Sequence, residues 1–291
     1  MIKGDDLKKA LGDYIDKMPP LPTSVGKIME ICQNPATSPN DLNKVISLDP
    51  VLLAKVMKLI NSAYYGNTAE ITSLVRAIIM LGLNTVKNLA VSTAVLATVG
   101  KETHKASILN LEGFWLHSLC VGVTAKLLSR VRKIDPKEQE SYFICGLLHD
   151  MGKLPLNNKT PESLLAAFQT ADQDRIPLFQ AEQKALNFTH SEAGSLIMLN
   201  WKLGDDILDV ALYHHNPLEY RGQHKDLLYT VVLANYFANI MEIGFSGDRH
   251  PVKPPPEVFS RLGITWAQVE ALDDQVMQEI ERAKVFLKIA I

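Results

Sequence analysis

Five of the eight histidines of this 291-residue chain fall, with one aspartate, in or at the ends of helix-patterned segments between residues 101 and 245. They are His117 in FWLHSLCVG, His149 beside Asp150 in CGLLHDMGK, His190 in NFTHSE, and His214-His215 in ALYHHNP. Imidazoles with a carboxylate are the ligand set of Fe, Mn, Zn or Ni rather than of Ca or Mg, so the expected cofactor is one divalent transition metal. A lone histidine on an apolar face is ordinarily a packed, hydrogen-bonded side chain. Five in one region, beside an acid, are poorly explained one at a time. Neighbours on a regular helix point roughly 100° apart, so His149 and Asp150 can share an ion only near a helix end. Gly152 is expected to supply that end as a C-terminal cap. Lys153 would then project beside the pocket as a partner for phosphate, or serve simply as a cation at a helix C-terminus.

The elements that must position these residues read as helices throughout. Ser38-Pro39-Asn40-Asp41 gives an N-cap, a first-turn proline and an early acid, and Asp49-Pro50 repeats the device. From there Leu52, Leu53, Val56, Leu59 and Ile60 fall on one helical face, ended by Asn61-Ser62. Thr189-His190-Ser191-Glu192 is a capping box, and Asp205-Asp206 opens a helix running to His214. No segment sustains strand alternation and no solenoid repeat is present, so the fold class is all-α, two packed helical lobes. Polar residues gather at Gly100–Lys105, which reads as a connector. A second lapse, Gly244 to Pro256, ends in a proline cluster that should form an extended strap. A last helix is expected near 265–289, its stripe of Val269, Leu272, Val276, Ile280, Ala283 and Leu287 docked on the protein's own body, with dimerisation through it the lesser alternative. The resulting division is 1–100, 101–245 and 246–291.

A hydrophobic fraction of 47% suffices for a large core, and a net charge of -2 argues against a general nucleic-acid binder. The acidic, non-apolar start MIKGDDLKKALG is neither a signal peptide nor a membrane span, and the longer apolar stretches are broken by Lys, Asn or Gly. A cytoplasmic protein off the membrane is expected, its three cysteines (Cys32, Cys120, Cys145) buried and reduced.

The second lobe resembles the HD superfamily of metal-dependent phosphohydrolases, whose pattern runs histidine, His-Asp, then a distal aspartate. By that resemblance His117, His149 and Asp150 are metal ligands, with Asp150 and Lys153 the candidate catalytic pair. His190, His214 and His215 fall where the HD-GYP branch binds a second metal. The first lobe narrows the match: LPTSVGKIMEICQNP, DPVLLAKVMKLINSAYYG and SLVRAIIMLGLNTVKNLAV together resemble the HDOD family, over roughly Pro19 to Asn239. That family is mostly tied to bacterial signalling and regulation. Two departures stand out. The distal position holds Asn235, which can coordinate but brings no charge, so one carboxylate cannot balance two divalent ions, and a single metal or none is expected rather than a dinuclear site. After the paired histidines, Asn216-Pro217-Leu218-Glu219 lacks the Gly-Tyr-Pro element of the cyclic-di-GMP-hydrolysing branch.

The resemblance implies a signalling or regulatory module acting through a protein or ligand partner, as a monomer or homodimer. The alternative is a metal-dependent phosphohydrolase acting on a nucleotide or phosphate ester. A third reading leaves the histidines as hydrogen-bonded relics in a scaffold. Smaller features read structurally: Tyr64-Tyr65 as aromatics packed under a helix-ending turn, Trp115 as core, Tyr213 as a weak pocket-lining hydroxyl.

Overall fold

The structure, a computed structural model, describes residues 5–66, 69–99 and 108–290. Among them the regular elements are helical and no strand occurs. The N-terminal part comprises α1 (Asp5–Asp16), α2 (Thr23–Cys32), α3 (Pro39–Ser47), α4 (Pro50–Ile60), α5 (Leu74–Leu81) and α6 (Leu83–Val99). There follow α7 (Leu111–Val131), α8 (Gln139–Leu148), α9 (Lys153–Lys159), α10 (Pro161–Asp174), α11 (Leu178–Leu186), α12 (His190–Asn200), α13 (Asp205–Tyr213) and α14 (Lys225–Ile240). The chain closes with α15 (Pro256–Leu262), α16 (Trp266–Glu270) and α17 (Asp273–Ala290).

Local chemistry accounts for the helix starts. Ser38 and Thr189 each form a reciprocal capping box with the residue three places on, and the Asp49 carboxylate accepts the Leu52 N–H. The expected connector at 100–105 lies outside the described residues. Residues 251–255 of the strap form no regular element and Pro255 has φ -58° and ψ 149°, but Pro256 occupies the first position of α15, where its missing N–H costs nothing. The expected last helix is two: Thr265 caps the short α16 with Gln268, and α17 begins afresh at Asp273.

One apolar core runs from Ile15 to Phe286 and joins the N-terminal helices to the rest. Helix α1 packs on α9 and α12, while α17 packs on α4, α6 and α7. The buried residues of α17 are Val276, Ile280, Ala283 and Phe286. Tyr64 meets Phe286 and Tyr65 edge-on, with centroids 5.2 and 5.1 Å apart. Beneath these rings lies a buried ion pair, Lys126 Nζ to Glu140 Oε2 at 2.5 Å. Lys126 also donates to the Tyr64 hydroxyl, and the Tyr65 hydroxyl donates to Glu140. The aromatics thus do pack under the turn, and they complete a charged contact between the N-terminal helices and the α7–α8 pair. Cys120 and Cys145 are buried and Cys32 is half-buried, all three free.

Among the described residues no single helix is long and apolar enough to cross a membrane, and α5–α6, which pass only together, are bent by 117°. Because Phe286 is fully buried against Tyr64 and Phe143, Phe286→Ala should lower unfolding free energy by about 3–5 kcal/mol. Urea denaturation measures this, and an unchanged midpoint would mean that α17 is not docked.

Candidate metal centre

The scaffold of the site is the α7–α8 pair. At their crossing a Cβ on Gly146 would lie 2.8 Å from the Gly122 Cα, so only glycine permits the approach. It brings His117, in mid-α7, beside His149 at the end of α8, with ring centroids 5.6 Å apart.

Each remaining histidine is aimed by its place at a helix terminus. Helix ends leave carbonyls without intrahelical partners, and two of the rings fold back on them. Nδ1–H of His149 donates to the Gly146 carbonyl at 2.7 Å. Nδ1–H of His214 donates into the last turn of α13, 3.0 Å from the Ala211 carbonyl. At the start of α12, Glu182 accepts both the backbone N–H of His190 (2.9 Å) and its Nδ1–H (2.6 Å). With Nδ1 occupied, these rings present Nε2 lone pairs toward the pocket. His215 stacks on Phe179, centroids 4.4 Å apart, and its Nε2 lies 3.0 Å from that of His190.

Asp150 stands between the rings. Its Oδ1 is 3.3 Å from His190 Nε2 and 3.6 Å from His214 Nε2, while its Oδ2 is 3.3 Å from His149 Nε2 and 3.8 Å from His117 Nε2. Two donor groups result, Asp150 with His190, His214 and His215, and Asp150 with His117 and His149. All the sequence-predicted ligands are therefore brought together, and all but His215 are buried. Asp150 Oδ1 and His149 Nε2 are buried without a hydrogen bond. Acceptors buried against acceptors are what a cation would satisfy, so the residues present fit a metal.

Asn235 turns its amide oxygen to the site. The Asp248 N–H donates to Ser246 Oγ, whose hydroxyl donates to Asn239 Oδ1, so Nδ2 of Asn239 donates to Asn235 Oδ1 at 2.9 Å. That oxygen lies 3.0 Å from His117 Nε2. Beside Asn235 and His215 a cavity of about 240 Å³ opens under the strap, with Asp248 on its wall.

Two expectations are corrected. Gly152 is not a left-handed C-cap: His149 ends α8, and Gly152, with φ -66°, precedes α9. It is glycine because a Cβ there would fall 1.8 Å from the His190 carbonyl oxygen. Lys153 does not project as a free phosphate partner or close a helix. It opens α9, is 2% exposed, and its Nζ lies 2.6 Å from Asp150 Oδ2. Of the acids near the histidines, Glu192 is spent in the Thr189 capping box, and Glu219 is exposed on a single 3-10 turn. The acid that bonds Nδ1 of His190 is Glu182, in LFQAEQKAL. Its pattern gives it away only as a charged residue on an otherwise buried helix face, eight places before His190.

Burial lowers His117 to about 3 and His214 to about 4, and pushes His215 well down. Burial alone would lower His190 too, but Glu182 and Asp150 reverse this and raise it. Asp150 resists its own burial because His149 and Lys153 hold it well below the usual carboxylate range. A buried neutral histidine takes up its proton more readily once unfolded, so each of the lowered rings removes stability as pH falls from about 6.5. His190 acts in the opposite direction. With three rings against one, the urea midpoint of chelator-treated protein should be lower at pH 5 than at pH 7, and a midpoint constant over that interval would contradict the burial of neutral rings.

The chain matches the model of the HDOD domain over residues 18–217. An uncharacterized protein of Treponema pallidum is 27% identical over 232 residues, 79% of this chain, and the chain spans only 44% of that relative's length. The crystal structure of an HDOD domain protein of unknown function from Geobacter sulfurreducens superposes with a TM-score of 0.75 at 23% identity, covering 96% of this chain and 97% of that one. A provisionally named signal transduction protein of Marinobacter aquaeolei gives 0.72 at 20% identity, over 98% of this chain and 65% of that one. With the family model covering most of its length and the structural likeness extending over nearly all of it, the chain belongs to the HDOD family.

Proposed function

We propose that this protein is a regulatory module of bacterial signal transduction whose His/Asp pocket holds a divalent transition metal and which acts through a partner rather than by turnover. The carrying observation is the buried Lys153–Asp150 pair at 2.6 Å. It withdraws from solvent the one lysine of the His-Asp element, leaving a neutral amide, Asn235, at the distal position. The His117 half of the pocket thereby lacks both the second carboxylate and the exposed cation that phosphate-ester chemistry would use there.

In this reading the protein's own groups do the binding work. Glu182 and the last-turn carbonyls hold Nδ1 of His190, His149 and His214, which turns each Nε2 toward the pocket. A metal so held would cross-link α8, α12 and α13. For the partner, the N-terminal helices offer Leu48, Val51, Ile79 and Met80, each more than half exposed. The name of the Marinobacter aquaeolei protein accords with such a role.

A metal-dependent phosphohydrolase is the second reading, favoured by the cavity that opens beside His215 and Asn235. There a bound metal would supply an activated water.

Metal analysis of protein purified without a histidine tag, followed by a screen of nucleotides and phosphate esters, separates these readings. Metal without turnover is expected, metal with turnover establishes the second reading, and a pocket that takes up no metal overturns both. Asn235→Asp adds a negative ligand at nearly constant size and should raise the pocket's affinity for Mn²⁺. Titration of wild type against variant reads this directly, and equal affinities would mean that Asn235 does not contribute to the site.

A further inference from the structure

Away from the histidine cluster, the strap and the α15–α16 corner enclose a groove of about 810 Å³. Of its lining residues, Pro254 and Ile264 are buried, Phe259 and Trp266 are half-buried, and Lys253 and Ser260 are exposed. Trp266 is braced on α14, by Tyr236 edge-on at 5.1 Å between centroids and by Phe237 at 6.5 Å. Among the described residues no hydrogen bond engages its indole N–H, and Lys253 has no ion pair.

The chemistry of this lining restricts what can lie in it. Pro254, Pro255 and Pro256 carry no backbone N–H, so the strap cannot pair with an added β-strand. The unpaired side-chain groups are donors, the Trp266 indole and the Lys253 ammonium, and they call for carbonyl or carboxylate oxygens. An ordinary extended peptide would bring its own N–H groups into an apolar groove, at a cost for each one left without an acceptor. A polyproline II segment brings carbonyls without N–H groups, and its flat pyrrolidine faces pack on aromatic rings. It is also stiff before binding, so little chain entropy is lost. Among the described residues no acid lines the groove, which favours a ligand carboxylate beside Lys253.

We infer that the groove between the strap and Trp266 is a docking site for a proline-rich, polyproline II segment of a partner protein, with an acidic residue of that segment against Lys253. As a statement about a regulatory partner this rests on the function proposed above; as a binding site it stands apart from the metal pocket. The two are neighbours all the same. Lys253, Pro254 and Pro255 also line the cavity of about 240 Å³ beside His215 and Asn235, so the strap is a wall common to both.

Full-length protein is titrated with a synthetic proline-rich peptide carrying one glutamate, and with a glycine–serine peptide of the same length and charge. Trp115 and Trp201 are each 7% exposed, so a change in tryptophan emission reports on Trp266. A saturable blue shift is expected with the proline-rich peptide, at an affinity about 10-fold or more above that for the control. Lys253→Glu, at an exposed position, should weaken binding about fivefold, and Trp266→Ala should abolish it when read by calorimetry. No response, an equal response to both peptides, or an unaltered affinity in Lys253→Glu would each overturn the inference. A dimer that the proline-rich peptide dissociates in sedimentation would assign the groove to a second copy and overturn it as well. Should Trp266→Ala fail to fold, the control peptide and Lys253→Glu still decide. None of these readouts involves metal content, so their failure leaves the regulatory reading of the pocket in place.

Discussion

Asp150 sits in the interior with 1% of its surface exposed, and taking an ionised carboxylate out of water costs several kcal/mol unless its oxygens find compensating partners. Much of the second half of the chain can be understood as meeting that demand. Lys153 compensates one oxygen directly. The other is faced by imidazoles of His190 and His214, whose outward nitrogens are held by Glu182 and by backbone carbonyls. Every helix end near the site contributes: α8 and α13 stop where their terminal carbonyls can hold a ring, and α12 starts where its first N–H and its first side chain meet the same glutamate.

The scaffold around this demand is plain helix packing carried to close range. Gly122 lets α7 and α8 touch, and Gly152 lets the start of α9 lie against the start of α12. A side chain at either place would hold apart the elements that deliver the ligands. Asn235 is oriented from further away, through Asn239 and Ser246 to the backbone of the loop after α14.

Much of this was legible in the sequence, because the informative residues are those whose chemistry is tied to local position. Capping boxes at Ser38 and Thr189 announced their helices, and histidines at helix ends announced a cluster. The HDOD resemblance, carried by motifs of the first lobe, was shown by the family match. What stayed hidden depends on long-range contact. Glu182 looks like any acid in an amphipathic helix, and its role appears only when α11 is laid beside the start of α12. Lys153 follows a glycine that reads as a helix stop, and only the tight α9–α12 approach explains why that glycine is there. The break between α16 and α17 follows from the Thr265–Gln268 cap, inside what reads by periodicity as one long stripe.

The close crossing of α7 and α8 has a mechanical consequence. Along α7, Gly122 lies between His117 and Lys126; along α8, Gly146 lies between Glu140 and His149. The two helices therefore touch at a fulcrum, with the His/Asp pocket on one pair of arms and the Lys126–Glu140 contact to Tyr64 and Tyr65 on the other. Rotation about that point moves both pairs of arms together. Any free energy with which pocket filling shifts the tyrosine contact must be returned in equal measure when a partner shifts it from the N-terminal side.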